Sequence, residues 1–355
     1  MNKSLKNIVR HLIGGRRYDY LFYRRHHSSL LRCKGFPNRR ADGEEAYVAK
    51  WRQLSRMVDP CSYRLFSHYC GPTPDIIPED IMHSVVERRL NPREQWKVYE
   101  DKNNFARFVG ADILPRTIAS RQGGDEPTFL FPLSSSCSPL ILKPSLGTSC
   151  GESIMRFDRV GEEYRAADGT VLDEAFLTSF GPDWVLQEAV VQHPDLQRFC
   201  TTAVCTVRLV TYRSVADGTP HVTAAILRVG HEGAVVDNID AGGRFLHVDI
   251  ADGRIRGPFF SRDGSRSDVW NGFDIAAHQA TGLYIPCWNA IVDMALRVAT
   301  CVGPHHLLAL DITVDDKEKP MLIEYNIGGF TTYFFHFTGQ TVLGPWTDEV
   351  IAWCR

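Results

Sequence analysis

Leu310-Asp311-Ile312, then the acidic connection Val314 to Pro320, then Met321-Leu322-Ile323-Glu324-Tyr325-Asn326: this stretch decides how the rest of the chain is read. Both apolar runs have strand composition, and the link between them is short enough to fold one back antiparallel on the other. Such a hairpin brings Asp311 close to Glu324 and Asn326. Side chains two apart on a strand share a face, so Glu324 and Asn326 point the same way. The alternative is a set of surface polar groups at a strand end. The flanking Leu, Ile and Tyr argue against it, because a carboxylate in apolar surroundings needs a partner. Carboxylates with an amide oxygen are hard ligands, suited to Mg2+ shared with phosphates.

Working upstream, Leu140-Ile141-Leu142-Lys143-Pro144 reads as a buried strand, followed by Ser145-Leu146-Gly147-Thr148-Ser149-Cys150-Gly151. A lysine at a strand end, before a loop of glycines and small hydroxyl residues, is suited to phosphates. Glycines let backbone N–H groups approach the oxygens, and the ammonium adds charge. Ser145, Gly147, Thr148, Ser149 and Gly151 are the candidate contacts. No Gly-Lys-Ser/Thr closes the loop, so it is not a Walker motif, and a plain hairpin connection is the competing reading. Trp184 to Glu188 is a further strand, running into Ala189-Val190-Val191. Backbone groups in such an apolar connection can face adenine, with the Glu188 carboxylate near a nucleotide's hydroxyl or amino groups; an exposed strand-end glutamate would look the same.

Arg208 and Arg228 interrupt the apolar strands Cys205–Tyr212 and Val222–Val229. An arginine in a strand core needs an anion or a rim position. Two of them beside a phosphate and carboxylate site suit oxyanion clamping, with salt bridges inside the protein as the other reading. Asn238, with Gly242-Gly243, is a polar loop able to line the same cleft.

In this order the pieces resemble the ATP-grasp superfamily, and most closely its sugar-transfer-associated branch, over roughly residues 95–350. The resemblance rests on Tyr99-Glu100-Asp101-Lys102-Asn103, Pro115-Arg116-Thr117, Lys143-Pro144 with its loop, Gln187-Glu188 and Gln192-His193-Pro194. It continues through Thr206-Val207-Arg208, Asp237-Asn238 with Gly242-Gly243, and Asp311 with Glu324-Tyr325-Asn326. It implies an α+β ATP-grasp fold whose two α+β subdomains enclose ATP, with ATP and Mg2+ as cofactors. Lys102 and Lys143 would hold phosphate oxygens, and Gln187, Glu188, Ala189 and Val190 the adenine side. Asp195 is the candidate for the ribose, and Asp311, Glu324 and Asn326 would hold magnesium. Arg208, joined by Arg228, would act on a reacting carboxylate or acyl phosphate. Cys150 departs from the usual small residue of the phosphate loop. The implied activity is a carboxylate–amine ligase forming an amide through an acyl phosphate, in a cell-surface glycan or natural-product pathway. Its partners would be a small-molecule or glycan carboxylate and an amine. Phosphoryl transfer to a hydroxyl, or nucleotide binding without turnover, are the alternatives.

The 355 residues, 44% of them hydrophobic, allow more than one core. Residues 1–90 read as a basic helical region, and 91–355 as the grasp domain, with subdomains near 91–180 and 181–355. Helices are expected over residues 1–33, Gly43 to Val58, Asp101 to Val109 and 286–302, with turns at Asp168-Gly169, Asp217-Gly218 and Asp252-Gly253. Ten cysteines with no Cys-x-x-Cys pair point to reduced thiols and a cytoplasmic protein. The net charge of −2 hides an asymmetry: residues 1–40 hold eleven Lys or Arg against Asp19, leaving a net of −12 on the remainder. A basic arm of this kind points to contact with an anionic surface, such as a membrane periphery, or to a helix docked on the acidic body. No specific nucleic-acid partner and no oligomeric state are read from the chain.

Overall fold

The computed structural model describes residue 12 and residues 14–136, 138–146, 153–278 and 280–355. The short apolar runs separated by glycine and proline become strands, and the described pairings are antiparallel. Thr117–Arg121 (β1), Thr128–Phe129 (β2), Leu140–Pro144 (β3), Met155–Val160 (β4), Glu163–Arg165 (β5) and Trp184–Glu188 (β6) form one sheet, ordered β2-β1-β6-β3-β4-β5. The later strands are Thr206–Arg213 (β7), Pro220–Val229 (β8), Arg244–Val248 (β9), Arg254–Phe260 (β10), Arg266–Ser267 (β11), Val269–Trp270 (β12), Phe273–Asp274 (β13), Leu283–Tyr284 (β14), Leu307–Val314 (β15) and Pro320–Asn326 (β16). Of these, β12 and β13 pair with each other. The rest make the second sheet, ordered β11-β10-β9-β8-β7-β15-β16, with β14 on β10.

Alternation along the second sheet assigns its faces. Val207 and Leu209 on β7, Ala225 and Leu227 on β8, and Leu310 and Ile312 on β15 pack under the helix Trp288–Cys301. The opposite face is split along its length. Val210, Tyr212, Ala224, Ile226, Leu307 and Ala309 continue the apolar pattern and are covered by helices from both ends of the chain. Beyond them the same face turns polar, at Thr206, Arg208, Arg228 and Asp311, and there it opens into a cleft. One face of one sheet is therefore half core and half site.

The helices over the apolar half include Gly15–Cys33, Glu44–Trp51 and Pro60–Cys70. Trp51, Tyr47 and Phe66 are fully buried there, each side chain contributing on the order of 2–3 kcal/mol. Asp59 caps the third helix, accepting from the Cys61 N–H at 2.9 Å, with Pro60 at the first helical position. The helix expected over Gly43 to Val58 ends at Trp51. Leu54 and Ser55 bond back to the Trp51 carbonyl, and the Ser55 hydroxyl takes the Met57 N–H, so a side chain competes with the next helical turn. The 101–109 helix is likewise two pieces, Lys102–Asn104 and Phe105–Val109. Asp217-Gly218 does connect β7 to β8, with Gly218 at φ +79°. The eight described cysteines are free. Among the described residues no helix is long and apolar enough to cross a membrane.

Candidate active site

β15 and β16 form the expected hairpin, and Asp311 stands directly opposite Glu324. The register then slips: Ile312 pairs with Leu322, which leaves Ile323 as an extra residue on β16. This bulge shifts the face of everything beyond it. Leu322 and Tyr325, three apart, both enter the core, while Ile323, Glu324 and Asn326 all line the cleft. Without the bulge a strand that buries Leu322 would bury Glu324 as well.

Asp311 is also the direct cross-strand partner of Arg208 on β7, and the two pair through both arms. Arg208 Nε donates to Oδ1 at 2.8 Å and Nη2 to Oδ2 at 2.6 Å. Arg228 Nη1 donates to the same Oδ2 at 2.9 Å, and its Nη2 pairs with Asp237 at 2.8 Å. Burial works to raise the Asp311 carboxyl, but Arg208 and then Arg228 pull it down to about 2. Burial raises the Asp237 carboxyl against the pull of Arg228, while the Thr206 N–H donates to it at 2.9 Å. The salt-bridge reading of both arginines is thus realised, and it consumes much of Asp311. Oδ2 already accepts two donors; Oδ1 accepts one and keeps a lone pair.

The lysines differ. Lys143 is the last residue but one of β3, 7% exposed, and has no hydrogen bond or ion pair among the described residues. Burial, then the charge of Lys102, lowers it to about 8 against the pull of Glu324. Lys102 Nζ lies 3.3 Å from Glu324 Oε2, and its backbone N–H donates to the Ser145 carbonyl at 3.2 Å, tying the two lysine segments together. Among the described residues the buried Ser145 hydroxyl has no partner, nor does Arg228 Nε. Lys102, Lys143, Arg208, Arg228, Asn238, Asp311, Glu324 and Asn326 all line one cavity of about 460 Å³. Asn238 spends its side-chain oxygen on the Asp240 N–H at 2.8 Å, and Asn326 Nδ2 reaches the Ala309 carbonyl at 3.5 Å. Uncompensated ammonium, unpartnered buried donors and facing carboxylates fit a polyphosphate carrying a divalent cation.

An adjoining apolar cavity of about 130 Å³ takes in Ile141, Lys143, Gln187, Glu188, Ala189, Val190 and Ile323. Of the backbone donors expected there, the Glu188 N–H goes to the Arg116 carbonyl at 2.9 Å and the Ala189 N–H to Pro139 at 2.7 Å. Among the described residues the Val190 N–H has no partner. Glu188 pairs with Arg116 at 3.1 Å, and Gln187 Nε2 donates to Thr117 Oγ1 at 3.2 Å. Asp195 is not brought in: it sits in the first turn of Pro194–Gln197, paired with Arg198 at 2.6 Å, and lines neither cavity. Gly147, Thr148, Ser149 and Gly151 lie outside the described residues. Glu100, Thr206 and Asp237 line the cleft without having been named as site residues. Their signal was adjacency, since each sits in a motif already quoted for a neighbour.

A family model for sugar-transfer associated ATP-grasp matches residues 82–350. No curated protein sequence matches the chain. Among solved structures it is similar to the ATP-grasp ligase PsnB complexed with minimal precursor, Mg and ADP, at 15% identity and TM-score 0.42, over 75% of this chain and 62% of that one. It is also similar to the L-amino acid ligase from Bacillus licheniformis, at 14% and 0.38, over 74% and 51%. A third is the VanG D-Ala:D-Ser ligase from Enterococcus faecalis, at 13% and 0.41, over 72% and 62%. The chain thus spans less than two thirds of the length of these ligases. The family model takes in both sheets and every residue of the 460 Å³ cavity. The chain has the ATP-grasp fold and belongs to the sugar-transfer-associated ATP-grasp family, for which ATP and Mg2+ are the typical cofactors.

Proposed function

We propose that this chain is an ATP- and Mg2+-dependent ligase that joins a carboxylate to an amine through an acyl phosphate. The observation that supports this most is Lys143, a buried ammonium with no ion pair among the described residues, facing Lys102, Glu324 and Asn326 across one cavity. When bound, ATP supplies the phosphoryl group that makes a carboxylate oxygen able to leave, and Mg2+ spreads the phosphate charge. The residues that would hold them are Lys102 and Lys143 at phosphate oxygens, and Glu324, Asn326 and Asp311 Oδ1 at the metal. Val190 N–H, with Gln187, Glu188 and Ala189, would hold the adenine side. Arg208 has two of its three nitrogens committed to Asp311. Its Nη1 is without a partner among the described residues and is the donor available to a substrate carboxylate, then to the oxyanion formed on amine attack. Enclosure between the sheets keeps water from the acyl phosphate. In this reading the acid and amine are small molecules or glycan-borne, in keeping with the family's association with sugar transfer.

One observation favours a second reading, phosphoryl transfer to a hydroxyl. The Arg208 charge is largely neutralised by Asp311, whereas acyl transfer calls for a cation beside the acyl carbon and hydroxyl phosphorylation does not. Pairs of carboxylates and amines incubated with Mg-ATP separate the two. ADP together with an amide product supports the ligase, and ADP with a stable phosphate ester overturns it.

The basic arm supports a cytoplasmic protein held at an anionic surface. Its helix Gly15–Cys33 exposes Arg16, Arg17, Arg24 and Arg25 together with Leu21 and Phe22. Co-sedimentation with phosphatidylserine vesicles at low salt, weakening as salt rises, is the expected result. No binding at low salt contradicts it.

A further inference from the structure

Four residues apart stand Glu79, His83 and Glu87 along one helix and Asn91 at its C-cap. In an α-helix each four-residue step drifts by about 40° around the axis. Here Met82–Val86 is a π-helical stretch between two α-helical turns, and its wider turns offset that drift. The result is a polar stripe along one side of a helix otherwise buried in the core, with Glu79, Glu87 and Asn91 at most 2% exposed.

The stripe faces the loop that follows Asn326, and it takes the loop's backbone group by group. Asn91 Nδ2 donates to the Ile327 carbonyl at 2.5 Å. Glu87 Oε2 accepts from the Gly329 N–H at 2.8 Å. Glu79 Oε1 accepts from the Thr332 N–H at 3.1 Å, and Oε2 from the Thr332 hydroxyl. Glu100, the last residue of the separate helix Trp96–Glu100, accepts from the Ile327 N–H at 2.8 Å and the Gly328 N–H at 3.3 Å. A Cβ on Gly328 would run into the Trp96 ring, and Gly329 sits at φ +74°, so the loop's sequence is cut to this seat. The other side of the loop, at Gly328, Gly329, Phe330 and Thr331, lines the cleft.

Two buried carboxylates on one helix repel unless a cation stands between them. His83 does: Nε2 lies 3.2 Å from Glu79 Oε1 and Nδ1 3.0 Å from Glu87 Oε2. Burial opposes its charge, but the hydrogen bonds to Glu79 and Glu87 carry the imidazole up to about 10. The Tyr23 ring stands 5.8 Å away, and burial and Glu79 keep its phenol neutral. His83 is accordingly an imidazolium at neutral pH.

We infer that the 79–91 stripe is a positioning device for the cleft: His83 fixes Glu79 and Glu87, these hold Gly329 and Thr332, and with Asn91 and Glu100 on Ile327 and Gly328 the segment 327–332 is set as one wall of the site. His83 is then a positioning residue, because it touches the loop only through the two glutamates. That the wall faces substrate rests on the proposed function; the clamp itself does not.

Hydrogen–deuterium exchange on the full chain, with a calorimetric titration of Mg-ADP, tests it. In His83→Ala the Gly329 and Thr332 amides of the 327–332 segment should exchange at least ~10-fold faster, with global protection retained. Mg-ADP affinity should stay within about twofold, while turnover falls at least ~10-fold. Adding Glu87→Gln to His83→Ala removes one of the two repelling charges and should restore part of the protection. Unchanged exchange of 327–332 in a folded His83→Ala protein overturns the inference, as does no recovery in the double variant. If His83→Ala does not fold, Glu87→Ala carries the test: faster exchange at Gly329 supports the clamp, and unchanged exchange refutes it. The exchange arm needs no substrate, so a wild-type protein that makes a phosphate ester instead of an amide leaves it standing.

Discussion

Four cations line the cleft, and they fall into two pairs that live differently. Arg208 and Arg228 have their charge paired within the protein, by Asp311 and Asp237. Among the described residues Lys143 has no ion pair, and Lys102 has only the partly exposed Glu324 at 3.3 Å. A guanidinium offers five donors in a fixed fork and suits a permanent pair of carboxylates; a lysine, with one compact charge, loses its proton more readily on burial. In the proposed reading the arginines therefore belong first to the wall and the lysines first to a ligand, whose charge would go where the fold leaves a cation uncompensated.

Glu324, the side chain shared between the lysines and the proposed metal, should give the largest effect. Glu324→Ala is expected to abolish ADP formation while circular dichroism stays unchanged, and near-normal turnover would remove it from the site. Lys143→Met comes next, with a rate loss of about 1000-fold and a gain in stability. Its folded value is lowered from 10.5 to about 8, so at pH 7 the buried charge costs the wild type about 3 kcal/mol. That cost is fully present below pH 8 and fades as pH rises toward 10.5. Thermal melts should show Lys143→Met above wild type at pH 7 and the gap narrowing at pH 9.5. Wild-type ADP affinity should weaken above about pH 8, and that dependence should vanish in the variant. A Lys143→Met protein less stable than wild type at pH 7 would mean the ammonium has an internal partner after all.

Arg208→Ala should behave in the opposite sense. It leaves Asp311 buried with Arg228 alone, so stability should fall by about 3 kcal/mol, while amide formation slows about 100-fold with ATP affinity nearly unchanged. A variant with full stability would dissolve the contrast between the two pairs. Asp195→Ala should do least: the side chain is tied to Arg198 outside the cleft, and ATP affinity should shift less than about twofold, within the usual reach of a surface change.

The hairpin carrying Asp311 and Glu324 was legible because apolar composition and a short polar link suffice to indicate one. That Glu324 and Asn326 share a face was legible from parity. The bulge at Ile323 was not, since one extra residue leaves no compositional trace, and it is the bulge that separates Leu322 from Glu324. Nor was the Arg208–Asp311 pair, which is set by the register between strands more than ninety residues apart. The stripe Glu79, His83, Glu87, Asn91 was in plain view as a four-residue spacing. That spacing alone does not indicate a face, because an α-helix of ordinary pitch spreads the four around its axis, and the π-helical stretch that aligns them leaves no compositional trace. Asp195 rested on the resemblance alone, without a strand or cleft to place it.

Trapping with hydroxylamine tests the central claim most directly. Wild-type protein with Mg-ATP, a panel of carboxylates and hydroxylamine in place of the amine should yield a hydroxamate matched by ADP, since only an acyl phosphate offers the activated carbon that hydroxylamine attacks. Hydroxamate from at least one carboxylate, lost in Glu324→Ala, is the predicted result. ADP formed with no hydroxamate from any carboxylate, alongside a stable phosphate ester from an alcohol, would contradict the ligase account.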